Sequence, residues 1–193
     1  TVTFSTIELQ DQDGNEVDLS DANAKVTVTL PVGGAFAEGE SVEVYHDGSF
    51  VTYAIVADGK ISYEVSHFCE VEIKAAEEVV LDNTIDSVKE FIAFANAVNA
   101  GKSYAGETVT LGADLDLAGV TWTPIGTSAN RFKGTFDGQN HTISGLYQKT
   151  ESGSNGLFAS VSGGVIRDFN LVNSYFEITT YDWDFNGAVA AMV

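Results

Sequence analysis

The stretch Phe132–Leu146, FKGTFDGQNHTISGL, holds one aspartate, one histidine and three glycines within fifteen residues. Either Asp137 and His141 are an acid and a base on a catalytic turn, or the segment is one rung of a repeated strand structure. The neighbouring sequence favours the rung. Gly134 and Phe136 align with Gly156 and Phe158 at a step of 22, and Ile143 and Leu146 align with Ile166 and Phe169 at a step of 23. Self-similarity at such a period marks a solenoid, and strand-rich coils with glycine at their corners specify a parallel β-helix. The equivalent span of the next coil, FASVSGGVI, carries neither acid nor histidine. A structural repeat therefore accounts for every residue of the motif.

Upstream, ETVTLGADLDLAG (107–119) places Val109, Leu111, Ala113, Leu115 and Leu117 on one side and Thr110, Asp114 and Asp116 on the other. Before it, Val88, Phe91, Ile92, Ala95 and Val98 recur at helical spacing. Thr84 is the expected N-cap and Gly101 suits the C′ position. One helix in a strand-rich chain needs one large surface to cover. The expected surface is the first coil, whose Val109, Leu111, Leu115 and Leu117 it would shield from water.

Residues 1–74 have a shorter rhythm. KVTVTL, SVEVYH and KISYEVS alternate apolar and polar residues, placing Val26, Val28 and Leu30, then Val42 and Val44, then Ile61, Tyr63 and Val65 on single faces. Asp13-Gly14, Asp47-Gly48 and Asp58-Gly59 supply the positive φ that tight hairpins require. About seven short strands without a helix predict a β-sandwich. AAEEVVLDNT (75–84) is the expected linker.

The run VTVTLPVGGAFAEGESVEVYHDG…GKISYEVSHFCEVEI resembles small Ig-like modules of Gram-positive surface proteins, with Cys69 where a serine is usual. The Cys…Trp…Cys signature of true immunoglobulin domains is missing, so the likeness is one of architecture. From the helix through WTPIG to the last residue, the chain resembles the GLUG-type repeat regions of bacterial, gut-type cell-surface and adhesin-like proteins. It does so through FKGTFDGQNHTISGL, GLFASV and the spaced Ile and Leu that follow. The resemblance implies an extracellular, right-handed parallel β-helix capped by the amphipathic helix. The expected chain is thus all-β apart from that helix: an Ig-like β-sandwich over 1–74, a linker over 75–84, the capping helix over 85–101 and β-helix repeats over 102–193, incomplete at the C-terminus.

Composition narrows the partners. Nine basic residues against twenty-eight acidic ones leave a formal charge of −19, a field that repels phosphate backbones and argues against nucleic acid. One cysteine, Cys69, forbids an internal disulfide and any CxxC-type zinc or redox site. It shares parity with Val71 and Ile73, so an inward-facing, inert thiol is expected. No stretch reaches the roughly 18 apolar residues that span a bilayer. Both ends read as cuts in a longer exported protein. Ala188, Val189 and Met192 would then lie on an uncovered coil, and the fragment would self-associate there.

Candidate chemistry is sparse. DQDGNEVDLSDA (11–22) has acids in calcium-loop order but Glu16 and Ala22 where an EF-hand needs Gly and a bidentate Glu. A hairpin turn is the preferred reading. Asp114 and Asp116 could serve a polysaccharide lyase, yet nothing in the sequence places Arg131, Lys133, Lys149 or Arg167 beside them. There is no G-x-S-x-G, and His46, His67 and His141 fall in unrelated contexts. One site remains. The step from Gly156 to Gly187 is longer than the others, and the excess falls on ITTYDWDF. Tyr181, Asp182, Trp183 and Asp184 either form a loop that stacks on a sugar ring or pack as a strand on the coil beneath, the packed strand being preferred. No cofactor or metal is expected, and no catalysis. The expected role is an extracellular, adhesin-like scaffold that meets a host or dietary glycan or a surface protein. The alternative is a carbohydrate-binding or lyase-like module of a glycan-degrading protein.

Overall fold

The structure, a computed structural model, describes residues 1–4, 13, 26–65, 69–77, 79–120, 122–150, 155–178 and 187–192. Strands dominate, with one α-helix among the described residues. The chain divides into two compact units, Thr1–Glu78 and Val79–Val193.

The first unit contains β1 (Val2–Phe4), β2 (Val26–Pro31), β3 (Ser41–His46), β4 (Ser49–Ile55), β5 (Lys60–Val65) and β6 (Val71–Ala75). One antiparallel sheet has the order β1-β6-β3-β4, and β2 pairs antiparallel with β5. Strand β5 shows the cause: Ile61, Tyr63 and Val65 are buried while Lys60, Ser62 and Glu64 are exposed, the two-residue period of a strand with one wet face. Val42, Val44, Val71 and Ile73 from the larger sheet join Leu30, Ile61, Tyr63 and Val65 from the smaller in one core. Asp47 and Gly48 (φ 47° and 78°) join β3 to β4, and Asp58 and Gly59 (φ 53° and 67°) precede β5. Positive φ at both central residues is what a type I′ turn demands.

The second unit opens with β7 (Thr84–Ile85) and α1 (Val88–Asn99). The N-cap is Ser87 rather than Thr84, because Thr84 and Ile85 are already paired in parallel with Thr110 and Leu111. Ser87 Oγ accepts the Glu90 N–H at 3.2 Å, and the Glu90 carboxylate accepts the Asp86 N–H at 2.8 Å. At the other end Gly101 N–H reaches Val98 O and Lys102 N–H reaches Ala97 O, both at 2.9 Å. These two bonds make a Schellman motif, with Gly101 (φ 118°) at C′. The buried face is Phe91, Phe94, Ala95 and Val98, with Val88 and Ile92 at its margin. Phe94 lies outside the expected stripe, yet it is as deeply buried as Phe91.

Ten strands follow: β8 (Thr108–Leu111), β9 (Leu115–Asp116), β10 (Thr135–Asp137), β11 (Thr142–Ser144), β12 (Tyr147–Thr150), β13 (Phe158–Ser160), β14 (Val165–Arg167), β15 (Asn170–Val172), β16 (Tyr175–Ile178) and β17 (Ala190–Met192). Every pairing among the described strands of this unit is parallel. The orders are β7-β8-β10-β14, β9-β11-β15, β12-β16 and β13-β17. Apolar residues stand in columns through these sheets: Val109 beside Phe136 beside Ile166, and Leu115 beside Ile143 beside Leu171. The helix closes on the same core, which holds Val109, Leu111, Leu115 and Leu117 together with Phe91. Phe91 stacks on Trp122 at 4.8 Å and 14°, a geometry that adds to plain area burial.

The columns correct the period. The shortest return to a column runs from Thr84 to Thr110 and the longest from Ile125 to Phe158, and even the shortest exceeds a step of 22 or 23. Phe136 stands beside Val109 and Ile166, whereas Phe158 stands beside Ile125 and Ala190. Gly-Thr-Phe and Gly-Leu-Phe are therefore similar because each delivers a phenylalanine to the core from a different sheet. The step from Gly156 to Gly187 is then an ordinary return, matching Phe158 beside Ala190. No excess remains to be assigned to residues 178–185.

The rows differ in cover. Phe136, Ile143, Leu146 and Phe158 are wholly buried, but Ile166, Phe169, Leu171 and Phe176 are only partly so. Val165, Val172, Tyr175 and Val189 are exposed.

Candidate functional site

The polar groups of FKGTFDGQNHTISGL gather at one corner of the second unit, where β8 passes to β9, β10 to β11 and β14 to β15. Register sets this up. Thr110, Asp137 and Arg167 share one column, and Thr142 stands beside Asn170. The turn between β10 and β11 must also let the next row approach. A Cβ on Gly138 would strike Phe169 Cβ and lie 2.7 Å from Asp168 O.

Asp137 is nearly buried and receives two donors. Arg167 Nη2 lies 2.6 Å from Oδ2, and the Gln139 N–H donates to Oδ1 at 3.0 Å. Arg167 is half exposed, and its Nε sits 3.7 Å from Asp168. A basic side chain is thus lodged between carboxylates of adjacent rows, a placement that the sequence does not reveal. His141 turns to the opposite neighbour. Its Nδ1 is 3.0 Å from Asp114 Oδ1, and that oxygen also accepts the Thr142 N–H at 2.8 Å. The Thr142 amide, and after it the imidazole, hold the Asp114 carboxyl below the usual carboxylate range. Asp116 accepts the Ala118 N–H at 3.0 Å.

Asp137 and His141 are therefore not an acid–base pair: each ties its row to a different neighbour. Asp114 orients the imidazole as a carboxylate does in a hydrolase. Among the described residues, however, no hydroxyl or thiol hydrogen-bonds to His141. A guanidinium offers donors and no acceptor, so Arg167 on Asp137 is a donor and a charge, not a base. No group of three His, Cys, Asp or Glu converges among the described residues to hold a metal.

Elsewhere, Cys69 is half-buried, with its Sγ 3.4 Å from Glu70 O. The expected inward placement holds only in part. Burial, then the neighbouring Asp47, pushes the thiol up to about 11, which keeps it unreactive at neutral pH. Tyr181, Asp182, Trp183 and Asp184 lie outside the described residues, as does His67, and of the 11–22 loop only Asp13 is described.

The corner pairs are present in the sequence as intervals. Asp114 and His141 stand 27 apart, and Asp137 and Arg167 stand 30 apart, both within the range of the true return. A period of 22 hides both.

No protein-family model matches the chain, and no solved structure matches it. A segment of 74 residues, 37% of this chain, is 34% identical to a protein of Evansella cellulosilytica described as "Putative Gly-rich membrane protein". The match spans 9% of that relative's length. Among the described residues here, no helix is long and apolar enough to cross a membrane. The chain is thus similar to one short part of that bacterial protein.

Proposed function

We propose that the chain is a non-catalytic part of an exported bacterial surface protein, an Ig-like β-sandwich followed by a helix-capped, right-handed parallel β-helix. Its role in this reading is to present and space an extracellular binding surface. One observation carries it: parallel columns of core residues, to which successive rows return in register, closed at one side by α1. Such stacking makes a stiff body whose outer faces are free to vary. The corner contacts fit the same role, since Asp114–His141 and Asp137–Arg167 each bind one row to the next. Self-association at Ala188, Val189 and Met192 belongs to this reading, and light scattering across a concentration series tests it.

A second reading, a glycan-active module, draws on Arg167 between Asp137 and Asp168. Incubation with pectin, polygalacturonate and common plant glycans, with and without Ca²⁺, separates the two. The scaffold reading expects saturable binding to a glycan or surface protein with no new reducing ends or unsaturated products. Turnover abolished by Asp137→Asn or Arg167→Ala would replace it with the second.

A further inference from the structure

The first unit buries a carboxylate that the corner does not involve. Glu43 lies between Val42 and Val44 of β3, which face the core, so its side chain leaves the opposite face of the sheet. It is nevertheless only 2% exposed. Its Oε2 accepts the Tyr45 Oη–H at 2.6 Å, and its Oε1 accepts the backbone N–H of Glu77 at 2.8 Å. Tyr53 is its cross-strand neighbour on β4, and Lys74 on β6. The Lys74 ammonium lies 2.7 Å from Glu72 and over the Tyr45 ring. Burial and the Glu43 charge push the Tyr53 phenol up to about 12.

Glu77 is a telling place for such a bond. Strand β6 ends at Ala75, and the Ala76 N–H still reaches Ser41 O at 3.1 Å. Glu77 lies past that ladder, and a side chain reaches across to hold it. On the other side, Leu81 already packs on the core of the second unit, and Val80 before it is 82% exposed.

We infer that Glu43 is a clasp that sets the length of chain joining the two units. Closed, it anchors Glu77, so residues 78–80 alone lie between that anchor and Leu81, a reach of roughly 14 Å from Glu77 to Leu81 when extended. Opened, with the Ala76 bond fraying after it, the connector grows to residues 76–80 and a reach of roughly 20 Å from Ala75 to Leu81. A charge-assisted bond to a backbone N–H is among the stronger single contacts available for this purpose.

Amide hydrogen exchange in the whole chain reads the clasp. The Glu77 amide should exchange about ten- to a hundredfold more slowly than an unprotected one. Glu43→Ala should remove that protection while the Ile73 amide stays protected. Tyr45→Phe, which leaves Oε1 in place, should preserve it. With one spin label on each unit, the distance distribution should broaden in Glu43→Ala and not in Tyr45→Phe. An unprotected Glu77 amide in the unaltered chain overturns the clasp, and that measurement requires no variant to fold. Persistent protection in a folded Glu43→Ala chain, or an unbroadened distribution once Glu77 is released, overturns it equally.

Discussion

In the first unit two residues, Asp47 and Gly48, carry the chain from β3 to its partner β4. In the second, Phe136 finds its neighbours a whole row away in each direction, in Val109 before it and Ile166 after it. The contrast extends to glycine. Gly48 is needed for its backbone, since φ is 78° and nothing lies within 4 Å of where a Cβ would be. Gly138 has an ordinary φ but no space for a Cβ. Hairpins close cheaply and encode themselves in a few residues, whereas parallel columns require long loops to close before any contact rewards them. The second unit meets that requirement with rings: Phe91 and Phe94 of the helix form one continuous aromatic cluster with Trp122, Phe132, Phe136 and Phe158.

The largest test of this contrast is Phe91→Ala. It should cost the second unit about 3–5 kcal/mol, lowering its thermal transition while that of the first unit stays in place. Equal movement of both transitions would mean that the cores are not independent. Next comes Arg167→Ala, which among the described residues leaves the nearly buried Asp137 with its Gln139 bond alone. A loss of about 1.5–3 kcal/mol in denaturant unfolding is expected, and an unaffected midpoint would show the pair to be ornamental.

The glycines offer a paired test of smaller effect. Asparagine tolerates positive φ, so Gly48→Asn should be nearly neutral. Gly138→Asn should cost about 1–3 kcal/mol, because the rows would have to part. A reversal of that order would erase the distinction between a glycine kept for conformation and one kept for space.

The smallest effect is electrostatic. Asp114 has a depressed pKa, so its contribution is present above the unfolded carboxyl value of about 3.9 and is lost as pH falls through the folded value. Acid titration of stability below about pH 4 should therefore be shallower in Asp114→Asn than in the unaltered chain, and only in the second unit. The same slope in both chains would detach Asp114 from the row contact.

Local rules were legible in the residues alone. Alternation marked Ile61, Tyr63 and Val65 as a buried face, Asp-Gly pairs marked their turns, and Gly101 marked the end of the helix. Each depends on a period or a dihedral preference that a few neighbouring residues express. The expected helix start falls three residues early because Thr84, a good cap by type, is claimed by a strand pairing with Thr110.

What the sequence alone could not decide was register. FKGTFDGQNHTISGL shows by its pattern that it is strand and turn, but not which residues lie above and below it. A core position accepts Val109, Phe136 or Ile166 equally well by hydrophobicity, and similar Gly-x-Phe pieces occur in two different sheets. Only the closed structure chooses, because the loops between rows vary in length while the columns must stay aligned. That choice gave Asp137 to Arg167 and His141 to Asp114. It also gave Glu43, one polar residue among many on an outward face, the backbone of Glu77 to hold.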